Sequence, residues 1–84
     1  MKFNYTDIEM AFDFVSSGPP EEKYALIDKD KGKIYYASDL TDLDEIPKDI
    51  DWTSEKYVSV PHRLDHQKSF IIKWCKINNI QIKA

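Results

Sequence analysis

Cysteine, glycine and long apolar runs are all scarce in this chain of 84 residues, and each shortage removes a class of protein. The single cysteine, Cys75, has no intramolecular partner, so no disulfide framework supports the fold and a reducing, cytoplasmic compartment fits best. No apolar stretch approaches the roughly 18 residues that span a bilayer, and the opening Met-Lys-Phe-Asn-Tyr-Thr-Asp lacks the apolar core of a secretion signal. No membrane role is expected. Gly18 and Gly32 alone cannot build a phosphate-cradling loop, and neither a glycine elbow nor a Ser/His/Asp order accompanies them. There is no internal repeat and no Pro, Gly or Ser tract long enough to act as a flexible linker.

Positive charge is also in short supply. Twelve bases against 15 acids leave a net charge of −3, so the overall field that draws proteins to phosphate backbones is missing. The imbalance is uneven: residues 1–50 hold 6 bases and 12 acids, whereas residues 51–84 hold 6 and 3. Nucleic acid is therefore approachable only through the C-terminal part.

What is present fits a small folded unit. The 42% apolar and 13% aromatic content excludes disorder for most of the chain. Residues 1–84 suit one domain, and a chain of this size buries only roughly 60–65% of the surface that its unfolded form exposes. Stability is then marginal unless a partner contributes.

Thr6-Asp7-Ile8-Glu9 reads as a capping box that opens a helix, with Tyr5 packing on Met10 as a staple. Ile8, Ala11, Phe12 and Val15 recur at the spacing of one helical face. Ser16-Ser17-Gly18-Pro19-Pro20 stops the helix, with Gly18 suited to a left-handed cap. Lys23 to Asp28 and Lys33 to Ser38 form a hairpin, closed by a type I turn over Asp30, Lys31 and Gly32 with a glycine bulge. Both faces of the hairpin carry apolar residues, which points to a sheet covered on more than one side.

Six acids between Asp39 and Asp51, against Lys48 alone, mark a polar loop pinned by Leu40, Leu43, Ile46 and Ile50. Tyr57 to Val60 is a short strand ended by Pro61. Gln67 to Asn78 is a helix with Phe70, Ile71, Trp74 and Ile77 on one face, Asp65 or a neighbour as cap, and Asn78 or Asn79 at the exit. Ile80-Gln81-Ile82 fits a fourth, edge strand. The expected architecture is a single α+β domain: a small antiparallel sheet of three strands, extendable to four, with two packed helices.

The run Tyr24-Ala25-Leu26-Ile27-Asp28-Lys29-Asp30-Lys31-Gly32-Lys33-Ile34, the acidic loop, and Lys56-Tyr57-Val58-Ser59-Val60-Pro61 carry a likeness. Their order resembles a bacterial family of uncharacterised proteins in which a Tyr-x-Leu-Asp-x-Glu-Thr-Gly-x-Ile hairpin precedes a Tyr-x-x-Leu-Pro strand. Asp-Lys-Gly stands here where that pattern has Glu-Thr-Gly, and the strand ends Val-Pro. The resemblance covers roughly residues 5–75 and implies a bacterial source and no assigned activity. Such members are longer, so it also implies that residues 1–84 are a short relative or the N-terminal part of a longer architecture.

Several groupings could carry chemistry. His62 and His66, with Asp65 and Cys75, have partial metal-ligand spacing, but structural zinc takes four protein ligands and the second cysteine is missing. They read as surface histidines near a helix start. Asp28-x-Asp30-x-Gly32 lacks the third oxygen ligand of a calcium loop and reads as a hairpin turn. The acids from Asp39 to Asp51 suit a solvated face better than a Mg²⁺ site, and Cys75 suits the core better than a nucleophilic role. No cofactor is expected.

The one mild excess is aromatic. Eleven aromatic residues exceed what one small core encloses, since each buries about 150–250 Å². Tyr35, Tyr36, Trp52 and Arg63 are the candidate partner-binding residues, with Tyr57 as a further ring that could lie beside them. The alternating pattern sends Tyr35 and Tyr36 to opposite faces. The expectation is a non-enzymatic protein-interaction module, acting on a protein partner or its own copy. The alternative is a nucleic-acid-associated regulatory protein using the basic C-terminal helix through Arg63, Lys68, Lys73, Lys76 and Lys83; an enzyme ranks third.

Overall fold

A computed structural model describes residues 2–20, 22–38, 53–65 and 67–83. Trp52, His66 and the acidic stretch from Asp39 to Asp51 lie outside these residues. The order is β1 (Lys2–Phe3), α1 (Tyr5–Ser16), β2 (Lys23–Asp28), β3 (Lys33–Ser38), β4 (Tyr57–Ser59), α2 (Lys68–Ile77) and β5 (Gln81–Ile82). The α+β class holds, with a three-stranded antiparallel sheet and two helices.

Helix α1 starts earlier than the Thr6 capping box predicts. Asn4 is its N-cap, in extended conformation, and its carbonyl accepts from the amides of Asp7 and Ile8. Asn4 and Asp7 have the same three-residue spacing as Thr6 and Glu9, and the Asn4 amide group reaches the Asp7 carboxylate at 3.4 Å. Thr6 therefore sits inside the first turn. The staple is absent too: Met10 is 61% exposed, while the Tyr5 hydroxyl donates to Glu9 at 3.1 Å. At the other end, Ser17 closes the helix, its amide and hydroxyl both donating to the Phe14 carbonyl. Gly18 takes no left-handed conformation, because Ser17 has already supplied the cap.

The predicted core stripe is correct: Ile8, Ala11, Phe12 and Val15 are all buried. They join Ala25 and Ile27 of β2 in one cluster, with Ile34, Tyr36 and Val58 packed against it. Ladder pairing explains this set, since Ala25 opposes Tyr36 while Ile27 opposes Ile34 on one side and Val58 on the other. Leu26, Tyr35 and Ala37 lie on the second face, and they are buried as well. Both faces of the sheet are therefore covered, as the double-sided apolar pattern implies. The strand order is β3-β2-β4, which places β2, whose last four residues are buried, in the middle.

Helix α2 runs from Lys68, with Gln67 rather than Asp65 as N-cap. Its buried residues are Ile71 and Cys75, with Phe70 and Trp74 half-buried. Ile77, expected inside, is 70% exposed, because a position six residues after Ile71 has rotated off the core stripe. The exit uses Asn79 at φ 58°, as one of the two predicted asparagines. The helix packs on α1 and β5, and the two-helix contact is aromatic.

The last strand departs from expectation. Gln81–Ile82 does not extend the three-stranded sheet but pairs in parallel with Lys2–Phe3, a strand too short to be read from its sequence. Lys83 confirms the register by donating its amide to the Phe3 carbonyl at 2.8 Å.

The hairpin loop has four residues, since Asp28 pairs directly with Lys33. Gly32 has φ 64°, the left-handed region that a Cβ disfavours. Asp28 organises the rest: its Oδ1 accepts from the amides of Asp30 and Lys31, both at 3.1 Å. The side chain is fully buried and its Oδ2 has no partner. This is an Asx-type turn at the end of the β2–β3 ladder.

Two predictions follow from this turn. Gly32→Val should lower the unfolding free energy by about 1–2 kcal/mol in urea titrations, the cost of a Cβ in the left-handed region. An unchanged midpoint would show a different turn. Asp28→Ala should cost about 1–3 kcal/mol by orphaning two amides, whereas Asp28→Asn, which keeps an accepting oxygen, should stay closer to the parent.

Candidate functional site

Of the four residues expected to anchor a partner, Trp52 lies outside the described residues, and Tyr35 and Tyr36 lie on opposite faces of the sheet. Tyr35 is 4% exposed, beneath the Lys33 ammonium at 4.8 Å from the ring centroid, and presents no anchoring surface. Its burial follows from pairing with Leu26 on a face that is covered. Tyr36 lies on the opposite face, edge-on to Phe14 of α1 with centroids 5.0 Å apart. Burial and then the nearby Asp7 carboxylate hold its phenol above the ordinary tyrosine range. Tyr57 shares the Tyr35 face, because it opposes Asp28.

Arg63 is committed to the fold. Its guanidinium carbon sits 3.8 Å from the centroid of the Phe70 ring, its Nε donates to Asp65 at 3.0 Å, and its backbone exchanges two hydrogen bonds with the Ser16 hydroxyl. Lys68 similarly caps the Tyr5 ring at 5.2 Å. Lys68 thus ties α2 to the start of α1, and the Arg63 backbone ties the approach to α2 to the end of α1. His62 belongs to the same seam, with its Nε2 2.9 Å from the Gly18 carbonyl. That contact occupies one ring nitrogen in holding two loops together.

Cys75 lines up with Ile71 inside the core and is 1% exposed. Burial pushes its thiol up to about 11. A nucleophilic role needs the thiolate, so this side chain behaves as a small apolar residue.

What sequence reading overlooked is the outward side of α2. Helical spacing places Lys76, Ser69 and Lys73 along its centre, with Ile72 on one border and Ile77 on the other. Ile72 is 37% exposed and Ile77 70%, and Leu64, just before the helix, is 80% exposed. On the Ile72 side, α2 and the β1–β5 pair enclose a groove of about 590 Å³, lined by Lys2, Ile72, Cys75, Lys76, Ile80 and Ile82. On the Ile77 side, a second groove of about 480 Å³ runs along β4 and takes in Lys29, Tyr57, Val58 and Asn78. Among the described residues, the side chains of Lys2, Lys73, Lys76 and Lys83 form no ion pair, hydrogen bond or ring contact. The available signal was Ile72, an aliphatic residue off the helix's core stripe; Lys2 gave none, since its place depends on pairing with Gln81.

Cys75 supplies the test of this geometry. In native buffer the thiol should react with Ellman's reagent at least about a hundredfold more slowly than in urea, because only opening of the core exposes it. Folding raises its value, so the associated stability is present below pH 9 and fades as pH rises through about 11. Fast native labelling at pH 8 would contradict the packing. No family model, curated protein or solved structure matches this chain.

Proposed function

We propose that this chain is a non-enzymatic, cytoplasmic protein-interaction module of bacterial origin, which engages its partner through the outward side of α2. The observation that supports the reading is the exposure of Ile72, Ile77 and Leu64 around a helix whose opposite side already fills the core. Large aliphatic side chains held in water beside grooves are common features of protein-binding surfaces. The lack of an enzyme role rests on Cys75, a nucleophilic group withdrawn from solvent. Bacterial origin rests on the hairpin resemblance, which carries no activity of its own.

The nucleic-acid reading is weaker. Of its five cations, Arg63 stacks on Phe70 and Lys68 on Tyr5, leaving Lys73, Lys76 and Lys83 as unengaged charges. The groove on the Ile72 side also offers isoleucines where single-stranded nucleic acid takes aromatic stacking platforms.

The test compares the parent chain with an Ile72→Ser/Ile77→Ser double variant as immobilised bait in extract from the source cell. Both side chains are outside the core, so the melting temperatures should agree within a few degrees. A protein retained by the parent and lost from the variant is the expected result. Equal retention by both would remove α2 as the binding side.

A further inference from the structure

The groove between α2 and the β1–β5 pair differs from the rest of the surface in its charge. Residues 67–83 contain Lys68, Lys73, Lys76 and Lys83 and no acid, although the whole chain has a net charge of −3. Parallel pairing of β1 with β5 adds Lys2 from the other end of the chain, next to Gln81. Lys2 and Lys76 both line the groove, and neither has a charged partner in the described residues. Its other walls are Ile72, Ile80 and Ile82, with the amides Asn79 and Gln81 among them and Cys75 beneath. Among the described residues, the groove therefore combines aliphatic side chains with two ammonium groups and no carboxylate in its lining.

We infer that this groove binds an acidic peptide segment of a partner protein, one that alternates carboxylates with aliphatic side chains. Deepening the interaction-module reading, on which it rests, the inference commits the partner's chemistry through charge complementarity. Carboxylates would meet Lys2 and Lys76, while aliphatic side chains would cover Ile72 and Ile82. The groove volume of about 590 Å³ falls within the roughly 300–1,000 Å³ of ligand-binding clefts. Lysine suits this task because its flexible stem lets a point charge follow an extended chain.

Fluorescence anisotropy with a fluorescein-labelled peptide of alternating Glu and Leu tests the assignment at low and at physiological salt. The parent should bind it, and Lys2→Glu/Lys76→Glu should weaken binding by about tenfold or more, whereas Lys33→Glu, on the distant hairpin, should change it little. Peptides of alternating Lys and Leu, or Glu and Ser, should bind weakly, since each removes one half of the match. An oligothymidylate should also bind weakly. Failure of the Glu-Leu peptide to bind, equal binding by the charge-reversed variant, or preference for the oligothymidylate would overturn the inference. The same charge-reversed variant used as bait separates the two levels. A partner lost with Ile72→Ser/Ile77→Ser but kept with Lys2→Glu/Lys76→Glu would preserve the module and reject the acidic segment; retention unaffected by either variant would reject both.

Discussion

Phe12 is the side chain on which the rest of the arrangement depends. It is completely buried on the core stripe of α1, where it meets both aromatic residues of α2 edge-on, Phe70 at 6.0 Å and Trp74 at 5.1 Å between centroids. Such pairs contribute about 0.5–1.5 kcal/mol each beyond the area they bury. In a domain of this size that is a large fraction of the net stability, which for small proteins is about 5–15 kcal/mol. Helix α2 buries only Ile71 and Cys75 fully, so its ring contacts with Phe12 are a substantial part of its hold on α1. These contacts, with Ile71 and Cys75 in the core, turn Ile72 and Ile77 toward water.

A second layer of contacts holds α2 in the same pose from outside. Arg63 above Phe70 and Lys68 above Tyr5 shield rings that the small core leaves partly open. Cations used in this way combine a long apolar stem with a charged head that stays wet. The aromatic excess is thus handled largely by cation–ring and edge-to-face contacts inside the chain. This changes what the surface offers: aliphatic side chains and unengaged lysines around α2 remain for recognition, and Tyr35 does not.

Local pattern was informative wherever neighbours in sequence are neighbours in space. The stripe of α1, the two hairpin strands, the left-handed Gly32 and the Asn79 exit follow from spacing of three and four, from alternation and from backbone stereochemistry. Errors occurred where two local signals competed or where the deciding contact was distant. Thr6 and Asn4 both suit an N-cap, and only the position of Tyr5 against Glu9 and Lys68 separates them. Tyr35 was misjudged as an anchor because composition shows that rings are in excess without showing which face is covered. The groove at Lys2 was invisible for the same reason: it is made by residues from opposite ends of the chain.

That short parallel pairing also shapes how the chain reaches its final state. Lys2 and Gln81 are about 80 positions apart, and closing so long a loop carries an entropic cost of roughly 4 kcal/mol in an otherwise unstructured chain. Two residues of ladder cannot meet that cost alone. The pairing must therefore follow the assembly of α1, the hairpin and α2, which shortens the effective loop by bringing Phe3 and Ile80 toward the same core. The groove therefore depends on the core that brings Phe3 and Ile80 together. A segment bound across it would act as a latch on the whole domain, coupling occupancy directly to the joining of the two ends.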